Sequence, residues 1–240
     1  SFNTASGFEA LKNNNTGNYN TASGAYTLQN NSTGYFNTAS GVEALKSNTT
    51  GDNNTAYGYQ ALQSNTEGKN NTASGFEALK RNIEDNNTAY GYKALEENKT
   101  GYQNTASGVE ALKNNNTGSN NTANGYEALY RNTTGSNNTA SGVEALKNNT
   151  TGNNNTANGI EALHSNTGDN NTASGAYALT KNTTGEENTA SGHYALYSNI
   201  SGNNNTAYGA YTLVNNVASF NNAYGYEALK NNNTGEHNTA

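Results

Sequence analysis

The side chains able to do chemistry are few and scattered. Three histidines (His164, His193 and His237) and aspartates such as Asp52, Asp85 and Asp169 are the first candidates for metal binding or proton transfer. Either task needs such groups to converge on one point. Placed on the period of the chain, the histidines fall in three different columns and share no face. The aspartates lie in a variable segment without the spaced carboxylates of a Ca²⁺ repeat. Cysteine is absent, which excludes disulfides and thiolate metal sites. Glycine recurs at fixed intervals as a bend and forms no phosphate-cradling loop. No catalysis, cofactor or metal is therefore expected.

Hydroxyls and amides are abundant instead. Thr and Ser alternate as T-x-S in many copies of a repeat, formally a row of hydroxyls, interrupted by Tyr57, Tyr90, Tyr208, Tyr224, Asn124 and Asn158. Asn-x-Thr sequons also recur, at Asn53, Asn70, Asn120 and Asn137 before an N-T-A step and at Asn132 and Asn182 in a turn segment. An Asn- and Thr-rich repeat makes sequons by composition alone, so these are candidates for glycosylation and no more.

The element that must position all of these is a 17-residue module, seen in the stretch from Asn104 to Asn120, N-T-A-S-G-V-E-A-L-K-N-N-N-T-G-S-N. It recurs fourteen times from Asn3 to His237, and a fifteenth copy stops at Ala240. Apolar residues make up 31% of the chain, below the roughly 45–50% of a globular domain. Disorder is nonetheless the wrong reading, because every Leu returns to one column. Counting from the Asn of N-T-A, column 1 is Asn, column 3 Ala, column 5 Gly, column 9 Leu and column 12 Asn in every copy that reaches it. Those five residues (Asn104, Ala106, Gly108, Leu112 and Asn115 in one copy) are the predicted frame. The modules beginning at Asn71, Asn155 and Asn205 are one residue short, always between column 12 and the next N-T-A, which marks columns 13 to 17 as a loop.

Such a period implies one unit stacked on itself. N-T-A-[SY] alternates as a strand with Ala inward and columns 2 and 4 outward. The E-A-L-K half is ambiguous: it has helix formers and an i, i+3, i+4, i+7 face, with Glu110 and Lys113 placed to pair at i,i+3. A helix would stack at 8–10 Å against about 4.8 Å for strands, so the favoured expectation is an all-β solenoid of about 14 coils in which that half is a short strand or one helical turn. The alternative is an α/β solenoid with one short strand and one short helix per repeat. Columns 1 and 12 predict ladders of stacked Asn amides.

The spacing Ala106, Gly108, Ala111 resembles the head repeats of trimeric autotransporter adhesins. The longer motif N-T-x-x-G-x-x-A-x-x-x-N-x-T-G is similar to the tandem repeats of bacterial surface proteins and phage-type fibres. That resemblance implies a β-roll and a homotrimer, although Leu in column 9 departs from the fibre repeats, which usually have Gly there.

The expectation is a single repeat array over residues 1–240, a window of a longer one, serving as a structural or adhesive segment of an extracellular or cell-surface fibre. A net charge of −6 and the lack of a basic stripe argue against nucleic acid, and no apolar run reaches membrane-spanning length. Thin cores favour self-association, as a homo-oligomer or an end-to-end filament. The alternative function is an ice-binding or glycan-binding solenoid that uses the Thr, Ser and Tyr columns.

Overall fold

The computed structural model describes residues 2–240 in two compact units, Ser1–Asn120 and Asn121–Ala240. Each is a parallel β-solenoid with one three-residue strand per coil, and no helix occurs among the described residues. In the first unit seven strands run from β1 (Thr4–Ser6) and β2 (Thr21–Ser23) to β7 (Thr105–Ser107). In the second, seven run from β8 (Thr122–Asn124) to β14 (Asn222–Tyr224). Register is column on column: Thr4 faces Thr21, Ala5 faces Ala22 and Ser6 faces Ser23. Period-2 alternation sends the middle Ala inward, so Ala106 is fully buried while Thr105 is exposed and Ser107 half-buried.

The chain leaves each strand through the column 5 glycine. Gly108 has φ +138°, a conformation that L side chains rarely adopt. Space enforces the same choice, since a methyl group at Gly91 would overlap the carbonyl of Gly108 in the next coil.

The E-A-L-K half is neither strand nor helix, which corrects both expectations for it. In the coil that starts at Asn37 it is three successive tight turns, with Ala44 N–H donating to Gly41 O (3.4 Å), Lys46 to Glu43 O (3.3 Å) and Asn48 to Leu45 O (3.2 Å). Glu43 and Leu45 sit in the left-handed region at φ +60° and +50°. Stacking demands this. A helix would consume its own amides, whereas coils at strand spacing must hand theirs to neighbours. Alternating the sign of φ turns successive peptides to opposite sides, so Glu43 N–H donates to Ala25 O of the preceding coil (2.9 Å) and Leu45 N–H to Ala61 O of the following one (3.0 Å). Each left-handed non-glycine residue costs roughly 1–2 kcal/mol. The inter-coil hydrogen bonds and the complete burial of Leu45 offset it.

The core of a coil is thus one Ala from the strand plus the column 8 Ala and column 9 Leu, as with Ala106, Ala111 and Leu112, all fully buried. Glu110 and Lys113 do pair, at 2.7 Å, across two turns rather than a helical face. Stacked glutamates are separated by lysines: Lys147 lies 3.1 Å from Glu144 in its own coil and 2.6 Å from Glu127 in the preceding one.

Candidate functional site

The two asparagines of the predicted frame meet at one atom. Asn104 donates its side-chain N–H to the carbonyl of Gly118 at 2.8 Å, and Asn115 donates to the same oxygen at 2.7 Å. Both lone pairs of that carbonyl are filled. Asn115 also donates to Asn98 Oδ1 in the preceding coil at 2.6 Å, while the Asn104 backbone N–H donates to Asn87 Oδ1 at 2.9 Å. Column 12 is therefore an amide-to-amide ladder, and column 1 an amide-to-backbone ladder. Asn suits both, because a primary amide on a short stem supplies two N–H donors and a carbonyl acceptor, where a hydroxyl has one donor and a carboxylate none.

Shortened coils keep the shared acceptor, and two of the three break the ladder. In the coil from Asn71, Glu84 O takes the role of Gly118 and accepts from Asn71 (2.8 Å) and Asn82 (2.7 Å). Asn82 then no longer reaches Asn65, whose buried Oδ1 has no partner. The same happens before the coil from Asn205, at Asn199 Oδ1. Before the coil from Asn155 the rung survives, stretched to 3.3 Å between Asn166 and Asn149.

The sequons divide between two environments. Asn132 and Asn182 are column 12 residues, fully buried, and each donates to the shared Gly carbonyl at 2.8 Å, Asn132 to Gly135 and Asn182 to Gly185. A glycan on either would require its amide to leave the ladder. Asn53, Asn70, Asn120 and Asn137 are exposed and left-handed, with φ between +57° and +60°. Sequence reasoning missed this requirement of column 17. Its signal was Asn in eight of fourteen copies, since Asn tolerates left-handed backbone better than other non-glycine residues.

The aspartates and histidines form no metal-holding cluster among the described residues. Asp52, Asp85 and Asp169 each accept a backbone N–H of the preceding coil, from Tyr35 (2.8 Å), Lys69 (2.7 Å) and Asn153 (2.7 Å), so they close turns. His164 lies 3.4 Å from Glu144, His193 packs edge-on against Tyr194, and His237 stacks on Phe220. Among the described residues no group of three or more His, Asp or Glu could hold a metal. Glu43 is held below the usual carboxylate range by hydrogen bonds from Lys46 and Gln60, and Lys147 is raised by its hydrogen bond to Glu127.

Stacked aromatic columns were also missed. Tyr59, Phe76 and Tyr92 stack at 5.1 and 5.4 Å, and Tyr19 lies between Phe2 and Phe36 at 5.3 and 5.0 Å. On the strand face, Tyr57 and Tyr90 stand exposed among half-buried threonines. Neither a protein-family model, nor a curated protein, nor a solved structure matches the chain. The likeness to surface-fibre repeats accordingly rests on the motif.

Proposed function

We propose that this chain is a non-enzymatic segment of an extracellular or cell-surface fibre, a shaft or spacer built to be repeated, whose copies self-associate. One observation carries the reading: the invariant side chains of each coil are spent on the next coil. Asn104, Asn115, Ala106 and Leu112 are all buried in stacking, and no coil departs from the frame to gather reactive groups. What faces solvent is a set of columns, the form suited to a scaffold. Antibodies against the 240-residue chain, applied to intact cells or particles of its source and viewed by immunogold electron microscopy, test this. Surface labelling on projecting fibres is expected; labelling confined to permeabilised cells would refute it.

A second reading is favoured by one patch of the second unit. Thr122, Thr139, Thr156, Thr172 and Thr189 stand in register with only Ser or Asn in column 4 beside them, a flat polar row suited to ice or glycan. Thermal hysteresis and glycan-array binding test it; null results in both remove it.

A further inference from the structure

Each unit carries an apolar stripe that its coil-to-coil contacts leave uncovered. In the first unit column 6 supplies Phe8, Val42, Tyr59, Phe76, Tyr92 and Val109, between 42% and 64% exposed. The one coil without a large residue there has Ala25, and its column 7 carries Tyr26, whose ring meets Phe8 edge-on at 5.4 Å. The second unit makes the same exchange three times, at Ala176–Tyr177, His193–Tyr194 and Ala210–Tyr211. Tyr177, Tyr194 and Tyr211 stack in sequence at 4.9 and 5.6 Å. In every other coil column 7 is Glu, Gln or Lys. Column 7 turns aromatic only where column 6 has lost its large apolar group. A solvated surface imposes no such exchange, whereas a contact surface that needs one large apolar side chain per coil does.

We propose that this column 6–7 stripe is a lateral association face that binds the same stripe on a second copy of the chain, an inference that rests on the fibre reading and assigns its self-association to a surface. The area fits. With aromatic side chains offering roughly 150–250 Å² each, the six exposed residues of the first unit present on the order of 500 Å², at the upper end of the largest patch on a typical monomer. A stable interface buries about 800 Å² per partner, somewhat over half of it apolar, so one stripe supplies the apolar part of one such interface.

Periodicity selects the occupant. The stripe repeats at strand spacing, about 4.8 Å, and side chains seat in its gaps along all coils only if the partner has the same period. Another copy has it. Charge permits the pairing as well, because in the first unit carboxylates bordering the stripe are matched within their own chain: Glu43 with Lys46 and Glu110 with Lys113, each at 2.7 Å, and Glu77 with Lys93 at 3.1 Å. Like faces can then meet without apposing unpaired charges of one sign, in an isologous contact.

The test is sedimentation equilibrium of the 240-residue chain against a variant carrying Val42→Lys, Phe76→Lys, Tyr92→Lys and Val109→Lys. A Phe36→Lys variant in column 17 is the control, with circular dichroism and thermal unfolding monitored throughout. Reversible association of the parent and the control is expected at about 10 μM, with the stripe variant weakened at least about tenfold, a loss of roughly 1.4 kcal/mol. Should the lysines disturb folding, alanine at the same four positions gives the same reading. A parent monomeric at about 300 μM, or a folded stripe variant that associates as tightly as the parent, overturns the proposal. A monomeric chain displayed on projecting surface fibres would refute this face and the self-association while leaving the surface-fibre location intact; an associating chain found only inside cells would support the face and refute that location.

Discussion

Replacing one rung of the column 12 ladder by its acid isostere separates a hydrogen-bonded ladder from simple packing. Asn48 is fully buried. Its amide donates to Asn31 Oδ1 at 2.7 Å and to Gly51 O at 2.9 Å, and its Oδ1 accepts from Asn65 at 3.0 Å. In Asn48→Ala, Gly51 O keeps its bond from Asn37 (2.8 Å), but Asn31 Oδ1 loses the one donor it has. A buried acceptor left unpaired costs about 1–3 kcal/mol and the lost bond about 1 kcal/mol more, so Asn48→Ala should cost roughly 2–4 kcal/mol. Asn48→Asp behaves differently with pH. Only its protonated form can donate to Asn31, and burial raises its folded pKa. Keeping it neutral costs about 1.4 kcal/mol for each pH unit above roughly 3.9, hence about 1.5 kcal/mol at pH 5 and up to about 5.6 kcal/mol at pH 8. A raised folded pKa contributes stability that is lost as pH rises, so the acid variant should weaken relative to Asn48→Ala by up to about 4 kcal/mol between pH 5 and pH 8. Urea unfolding at both pH values measures this. Because arrays open locally, hydrogen exchange of the amides of Asn48 and Asn65, which bond to Leu45 and Leu62, should report the same trend. An Asn48→Asp chain as stable as the parent at pH 8, or a gap to Asn48→Ala that does not move with pH, would refute the ladder as a source of stability.

Other outcomes follow from the same geometry. Leu112→Ala removes a fully buried side chain and should lower stability by roughly 2–5 kcal/mol in urea unfolding. Gln103 sits at φ +55°, and Gln103→Gly should raise stability by up to about 1 kcal/mol in the same assay. Replacing the four residues Ile83 to Asn86 by Asn-Thr-Gly-Asp-Asn restores a full-length coil and a donor for Asn65 Oδ1, for a gain of roughly 1–3 kcal/mol; no gain would mean that the broken rung is harmless. Because Lys46 and Gln60 lower the pKa of Glu43 and Glu127 raises that of Lys147, the parent should be most stable between these limits. The first contribution is present above the ordinary carboxylate pKa of about 4 and fades in acid; the second is present below the ordinary Lys value of about 10.4 and fades in base. Thermal unfolding across pH 3 to 11 checks both directions.

The strand half of each coil was legible in the sequence because Thr-Ala-Ser alternation and column pairing depend on the same side chains. The Asn ladders were legible because columns 1 and 12 hold Asn in every copy, and Asn104 and Asn115 occupy the expected places. The E-A-L-K half was not, for a definable reason. Glu110, Ala111, Leu112 and Lys113 have helix propensity, but propensity describes a chain that satisfies its own amides, and here the neighbouring coils set the requirement. Left-handed Leu112 (φ +51°) carries no mark of this in its residue type. Column 17 carried a mark, its frequent Asn, which also makes a sequon when followed by Asn-Thr and was read for glycan instead of backbone.

The shared carbonyl has an implication for how such a gene can change. Gly118, Glu84, Gly168 and Ala218 all accept the two amides of their coil, although the last three belong to coils one residue short. A coil tolerates the loss of a codon because the junction is defined by an oxygen atom rather than by a side chain. Within a unit each coil also offers its successor the donors and acceptors that its predecessor offered it. Unequal recombination between repeats, in or slightly out of phase with the module, therefore yields sequences that still stack. Array length becomes a quantity that selection can adjust without inventing a new contact.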